Sequence, residues 1–183
     1  MGFTNNERAF IDMIGMSEGT MNSAATKNHG YDVIVTGVDG KPEIFSDYAH
    51  HPFEHCAPKV INSKGLASTA SGKSQILLHW WHAYQSILKL PDFSPESQDI
   101  YTQRQLIEHG AQALLAKDNF YGALIAVSGI WASLPGKAYI NQHQHTIAQV
   151  FKFYTDAGGS STVDAIHNPL SQVPATAQQG NLV

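Results

Sequence analysis

A carboxyl group that keeps its proton near neutral pH can act as a general acid, and Glu18 stands where that is achievable. It ends a stretch in which Ala9, Phe10, Met13 and Ile14 recur at helical spacing, and Gly19 follows directly. Apolar neighbours and the negative end of a helix dipole both disfavour a carboxylate there. A protonated Glu so placed can give its proton to a glycosidic oxygen. A solvated Glu at a fraying helix end has the same spacing, so spacing alone leaves both readings open. Asp32, inside Tyr31-Asp32-Val33-Ile34-Val35, is the candidate second carboxylate. Close to Glu18 it would make water-dependent hydrolysis feasible. Otherwise it is a structural Asp, bonded to backbone or to a polar neighbour.

Two further clusters suggest other chemistries. After Asp47 the chain reads His50-His51-Pro52-Phe53-Glu54-His55-Cys56. Clustered His and Cys can bind zinc, but neither a paired-His helix motif nor a spaced Cys pair is present. A histidine-rich loop is the plainer reading. Ala67-Ser68-Thr69-Ala70-Ser71-Gly72-Lys73-Ser74 ends like a phosphate-binding loop. Its first Gly is missing and no clear buried strand leads into it, which argues against nucleotide binding.

The elements that must position these groups follow from local signals. Thr4-Asn5-Asn6-Glu7 is a capping box that opens the first helix. Residues 31–35 form a short β-branched run, Asp39-Gly40 a turn, and residues 43–48 a returning strand. The stretch Ala49 to Thr69, rich in His, Pro, Gly and Ser, reads mainly as loop. A helix is expected from Gln75 to Leu90, with Leu77, Trp80, Trp81, Tyr84 and Leu88 on one face. Trp80, Trp81 and Trp131 are assigned mainly to packing. Ser94-Pro95 starts the next helix, which runs to about Glu108 and stops at Gly110. Asp118 is expected to cap a helix through Leu124 and Val127 to Trp131, broken by Pro135-Gly136. A last helix spans about His143 to Asp156 and stops at Gly158-Gly159. The expected class is α+β: mostly helical, with a small β-hairpin region after the first helix and a cleft between two lobes. Residues 1–159 are expected to form the catalytic domain and 160–183 a loose C-terminal tail.

Composition narrows the function classes. The chain has 183 residues, 43% hydrophobic and 14% charged, with net charge −4. The acidic balance argues against a nucleic-acid binder, which would show a basic face. No apolar run approaches a membrane span, and the N-terminus lacks the basic and apolar regions of a signal peptide. Cys56 is the only cysteine, so no internal disulfide is possible.

Longer blocks carry a resemblance. Met16-Ser17-Glu18-Gly19-Thr20, followed by Asn28-His29-Gly30-Tyr31-Asp32-Val33-Ile34-Val35, resembles the start of the phage lambda lysozyme family. The likeness continues through Phe45-Ser46-Asp47-Tyr48, His51-Pro52, Ala67-Ser68-Thr69, Gly72, Gln75, Trp80-Trp81 and Ala83-Tyr84. Asp92-Phe93-Ser94-Pro95, Ser97-Gln98-Asp99, Ile130-Trp131-Ala132-Ser133-Leu134-Pro135-Gly136 and Ala157-Gly158-Gly159 complete it. It covers about Asn6 to Gly159.

The resemblance implies a lysozyme-like α+β fold and a phage endolysin that attacks the host wall late in infection. It implies lytic transglycosylation. The β-1,4 bond between N-acetylmuramic acid and N-acetylglucosamine breaks, and the muramic C6 hydroxyl closes on C1 to give a 1,6-anhydro sugar. The family's catalytic Glu falls on Glu18. Gln75 and Tyr139 fall on sugar-binding positions, with Asp32 and Ser133 as further substrate-binding candidates. No metal or organic cofactor is implied. The partner is the peptidoglycan glycan strand, and a monomer is expected. The enzyme would be made in the host cytoplasm and need a holin-type protein to reach the periplasm and wall at lysis. The family pattern Gly-Arg-Tyr-Gln becomes Gly72-Lys73-Ser74-Gln75 here, losing an aromatic beside the expected cleft. Gly129 stands where the family tends to carry Asn. The alternatives are a hydrolytic muramidase using Glu18 and Asp32, a wall-binding protein without catalysis, and a zinc-dependent wall amidase.

Overall fold

A computed structural model describes residues 2–136 and 145–162. The chain divides into two compact units. One comprises the described residues before Glu18 and after Thr102; the other is Glu18–Thr102.

In the first unit, helix α1 spans Asn5–Ser17. The capping box forms as the sequence predicts. The Thr4 amide donates to Glu7 Oε2 at 2.7 Å, and the Glu7 amide donates to Thr4 Oγ1 at 3.2 Å. The same carboxylate, 3% exposed, accepts from Gln103 Nε2 at 3.1 Å and Gln112 Nε2 at 2.6 Å. Burial alone would raise its pKa, but these hydrogen bonds together hold it below the ordinary carboxylate range. Phe10, Met13 and Ile14 are fully buried against Leu106, Leu115, Phe120, Leu124 and Tyr154. Phe120 and Tyr154 rings lie 4.6 Å apart.

The later helices of this unit depart from the expected bounds. Helix α5 covers Phe120–Val127 and is capped by Asn119, whose side chain accepts from the Gly122 amide at 2.8 Å. Asp118 is not the cap. It sits at φ 54°, and its Oδ1 accepts from Asn6 Nδ2 at 2.8 Å and from Ser160 Oγ at 2.7 Å. α5 stops before Trp131 because Ser128 turns its hydroxyl back onto the Ile125 carbonyl at 3.0 Å. A short additional helix α4, Ala111–Leu115, precedes it, starting directly after Gly110. Helix α6 is Ile147–Asp156. It starts from a Thr146/Gln149 capping box rather than near His143, which lies outside the described residues.

In the second unit, β1 (Val33–Ile34) pairs antiparallel with β2 (Glu43–Ile44), with Val33 opposite Ile44. The expected loop at 49–69 holds a second hairpin, β3 (Lys59–Val60) with β4 (Ala67–Ser68). Asn62 builds its turn: Oδ1 accepts from the Lys64 and Leu66 amides at 3.0 Å each. Helix α2 is Leu78–Leu88, shorter than expected. Ile76 is committed to a β-bridge with Ser71, and Thr69 Oγ1 caps the helix by accepting from the Leu78 amide at 3.0 Å. Trp81 is fully buried and meets Phe93 edge-on at 4.7 Å. Trp80 is 51% exposed, so its assignment to packing is corrected: one residue along, it lies at the edge of the buried stripe. Helix α3 is Pro95–Glu108, as the Ser94-Pro95 signal predicts. The boundary between the units falls within it.

His51 is a core residue of this unit. It is 1% exposed; Nε2–H donates to the Ile76 carbonyl at 3.0 Å and Nδ1 accepts from the Phe53 amide at 3.2 Å. Burial pushes its pKa from 6.5 down to about 4. Between those values the unfolded chain binds a proton that the folded chain does not. Stability therefore rises with pH through that window and is lost as pH falls. The Tm of the wild-type protein is expected to drop from pH 6.5 toward pH 4. His51→Gln, which lacks the titrating ring, should flatten that part of the profile. An unchanged slope in thermal melts of the variant would refute the assignment.

Candidate active site

Glu18 is the first residue after α1 and is half-buried. Gly19, at φ 74°, turns the chain away from the helix, a conformation that side chains rarely adopt. The next residue locks this turn in place. Thr20 is 2% exposed, and its hydroxyl donates to the Lys73 carbonyl at 2.7 Å. The segment Glu18-Gly19-Thr20 is thus tied to the turn that carries Gln75.

That turn is closed by paired bonds between Ser71 and Ile76, at 3.0 and 2.8 Å. Gln75 adopts φ 51° and is half-buried; its Nε2 donates to the Gly72 carbonyl at 3.1 Å. Gln98, reaching from α3, holds the turn from below. Its Oε1 accepts from the Lys73 amide at 3.0 Å. Its Nε2 donates to the carbonyls of Tyr31 at 3.0 Å and Phe93 at 2.9 Å. Gly72 is required here: at φ 75°, a Cβ would sit 2.1 Å from Gln98 Oε1. Ser74 points into the same interior, its hydroxyl 2.8 Å from Thr102 Oγ1, and is 3% exposed. Lys73 is also buried at 4% exposure; its Nζ donates to Tyr31 OH at 3.2 Å and lies 4.7 Å from that ring's centre. Tyr31 OH in turn donates to the Asp99 carboxylate at 3.0 Å.

Asp32 is 3% exposed and committed to its own loop. Oδ1 accepts from Thr26 Oγ1 at 2.5 Å and Oδ2 from the Lys27 amide at 2.8 Å. Thr26 Oγ1 accepts from the Gly30 amide at 2.8 Å. The carboxylate therefore braces the loop 26–32. In the first unit, Ser133 is half-buried, and its hydroxyl accepts from Ser17 Oγ at 2.8 Å. Tyr139 lies outside the described residues.

The two other clusters resolve differently. Among the described residues no three His, Cys, Asp or Glu side chains converge as a metal site. His82 pairs with Glu54 at 2.7 Å, while His50 and His55 rings stand 5.9 Å apart. The hydrogen bond from His82 holds the Glu54 carboxyl below its ordinary range. Asp47, His50, Glu54 and His55 line an open cavity of about 390 Å³ together with Ile34 and Phe45. The Gly72-Lys73-Ser74 segment cannot cradle phosphate as it stands. The Gly72 amide donates to Val33 O at 2.8 Å, the Lys73 amide is held by Gln98, and no helix starts at Ser74.

Thr20, Thr26, Lys73 and Gln98 were not singled out as individual site residues by sequence reasoning. For Gln98 the local signal is polarity at inward positions of α3, where Ser97, Gln98, Thr102 and Gln105 all lie buried.

A helical body with short antiparallel strand pairs inserted after the first helix, and a half-buried Glu where that helix ends, is the lysozyme-like α+β class. The family profile described as Endolysin matches residues 8–161, and the chain belongs to that family. It is 48% identical over 155 residues to the endolysin of Escherichia phage P2, covering 84% of this chain and 93% of the relative. It is 42% identical over 157 residues to that of Escherichia phage lambda, covering 85% and 93%. The structure of bacteriophage lambda lysozyme complexed with a chitohexasaccharide superimposes with TM-score 0.79 at 40% identity, covering 88% of this chain and 99% of that one. Another structure of lysozyme from bacteriophage lambda gives TM-score 0.76 at 39% identity over the same shares. The protein is thus a lysozyme-like endolysin.

Replacing Gln98 by Leu would leave the Lys73 amide and the Tyr31 and Phe93 carbonyls unpaired in the interior. Urea unfolding should show a loss of about 3 kcal/mol. A loss under about 0.5 kcal/mol, the range of a neutral surface change, would show that the amide does not hold the turn.

Proposed function

We propose that this endolysin cleaves the β-1,4 bond between N-acetylmuramic acid and N-acetylglucosamine by lytic transglycosylation, with Glu18 as acid and then base. Glu18 donates its proton to the glycosidic oxygen, and the bond from that oxygen to muramic C1 breaks. The carboxylate then takes the proton of the muramic C6 hydroxyl as its oxygen bonds to C1. One carboxyl group returns to its starting state, and no water enters.

The observation that carries this reading over hydrolysis is the bonding of Asp32. Both its carboxylate oxygens are engaged by Thr26 and Lys27 in bracing a loop. A second carboxylate positioned to activate water is what an inverting hydrolase needs, and one acting as nucleophile is what a retaining hydrolase needs. Support for a glycan as substrate comes from the lambda lysozyme structure, whose bound molecule is a chitohexasaccharide. We assign Gln75 and Tyr139 to sugar contacts. A Gln amide can bridge hydroxyls and N-acetyl groups, and a Tyr ring can cover a sugar face. No described helix is long and apolar enough to cross a membrane. We assign access to the wall to a separate membrane-opening partner of holin type.

Glu18→Gln keeps the side chain's size and removes its acid. Clearing of a peptidoglycan suspension should slow by a factor of about 100 or more, with an unchanged circular dichroism spectrum. Mass spectrometry of wild-type digests should find 1,6-anhydromuramic ends. Reducing muramic ends would assign hydrolysis instead, and full activity in the Gln variant would remove Glu18 from the chemistry.

A further inference from the structure

We infer that His145 and Ser133 are positioning residues for the catalytic carboxyl, acting through the peptide group that joins Ser17 to Glu18. This rests on the assignment of Glu18 as acid and base. α1 ends at Ser17, and the last carbonyls of a helix have no partner within it. The Ser17 carbonyl, bonded covalently to the Glu18 nitrogen, lies 3.1 Å from His145 Nε2. A carbonyl only accepts, so Nε2 carries the proton.

Two further bonds close a triangle. The Ser17 hydroxyl donates to Ser133 Oγ at 2.8 Å, and the His145 amide donates to the Ser133 carbonyl at 3.0 Å. The His145 ring is steadied edge-on by Phe153 of α6, at 5.4 Å. Ser17 is 5% exposed, so these bonds work away from bulk solvent. Both the side chain and the carbonyl of Ser17 are held from segments distant in sequence, by 116 and 128 residues.

The consequence is geometric. Rotation of the Ser17–Glu18 peptide plane would swing the Glu18 side chain, and a general acid displaced by about 1 Å can lose about 100-fold in rate. A triangle that pins the carbonyl on one side and the Ser17 hydroxyl on the other removes that freedom. Ser133, expected to contact substrate, takes the role of brace through its hydroxyl and its carbonyl.

The test exploits which imidazole nitrogen does the work. A Gln side chain can place its amide where Nε2 stands, whereas the shorter Asn side chain cannot. With soluble glycan strands as substrate, His145→Asn and His145→Ala should lower kcat about 10- to 100-fold with KM little changed. His145→Gln should recover most of the rate, and Ser133→Ala should fall between them. Tm measured alongside separates positioning from unfolding. Wild-type kcat in His145→Ala would overturn the inference. So would a loss that tracks the folded fraction, or equal losses in the Asn and Gln variants. Glu18→Gln run in parallel distinguishes the two ideas. If it remains active, the acid assignment fails; if it is inactive while His145→Ala is normal, only the positioning role fails.

Discussion

The buried amide of Gln98 is the constraint around which the second unit is arranged. A primary amide has one accepting oxygen and two donating hydrogens, and here each meets a backbone group. The backbone groups belong to Lys73, Tyr31 and Phe93, so one side chain joins the end of the 26–32 loop, the 71–76 turn and the lead into α3. No apolar residue could do this, because the interior would then contain three unpaired peptide groups. Gly72 is the counterpart of that amide: any side chain there would collide with it. The turn bearing Gln75 owes its left-handed backbone to this closure.

From that fixed turn the hold extends to the segment Glu18-Gly19-Thr20. The Thr20 hydroxyl reaches the Lys73 carbonyl, two residues beyond Glu18 and two before Gln75. Glu18 therefore follows a helix whose last peptide is pinned and precedes a residue that is pinned. The interval between contains Gly19, the one residue that can make the reversal at low cost. Neither bond is strong alone. Each fixes one end of the short segment that contains Glu18.

The two carboxylate candidates of the sequence differ in their surroundings. Asp32 meets donors from its own loop, one on each carboxylate oxygen. Glu18 follows the last turn of α1, where the free backbone groups are carbonyls and the helix dipole is negative. Lys73, Tyr31 and Asp99 form a hydrogen-bonded chain inside the same unit as Asp32. A cation over a ring and a phenol between ammonium and carboxylate let a buried Lys be tolerated there.

Much was legible without coordinates where the cause was local. The Thr4/Glu7 capping box, the Ser94-Pro95 helix start, the apolar stripe of α1 and the place of Glu18 before Gly19 all depend on residues within a turn or two. Three boundaries failed for the same reason in reverse. Ile76 left its helix for a bridge to Ser71, the 49–69 segment folded a second hairpin on an Asn62 turn, and Asp118 yielded the cap to Asn119. The roles of Gln98 and Thr20 depend on partners 67 and 53 residues away, which no periodicity reports. Sequence alone determined which residue types were available and which helices could form. Tertiary structure decided that Gln98 closes the 71–76 turn and that Thr20 ties to it, because hydrogen-bond partners across the chain are chosen only when the chain has closed on itself.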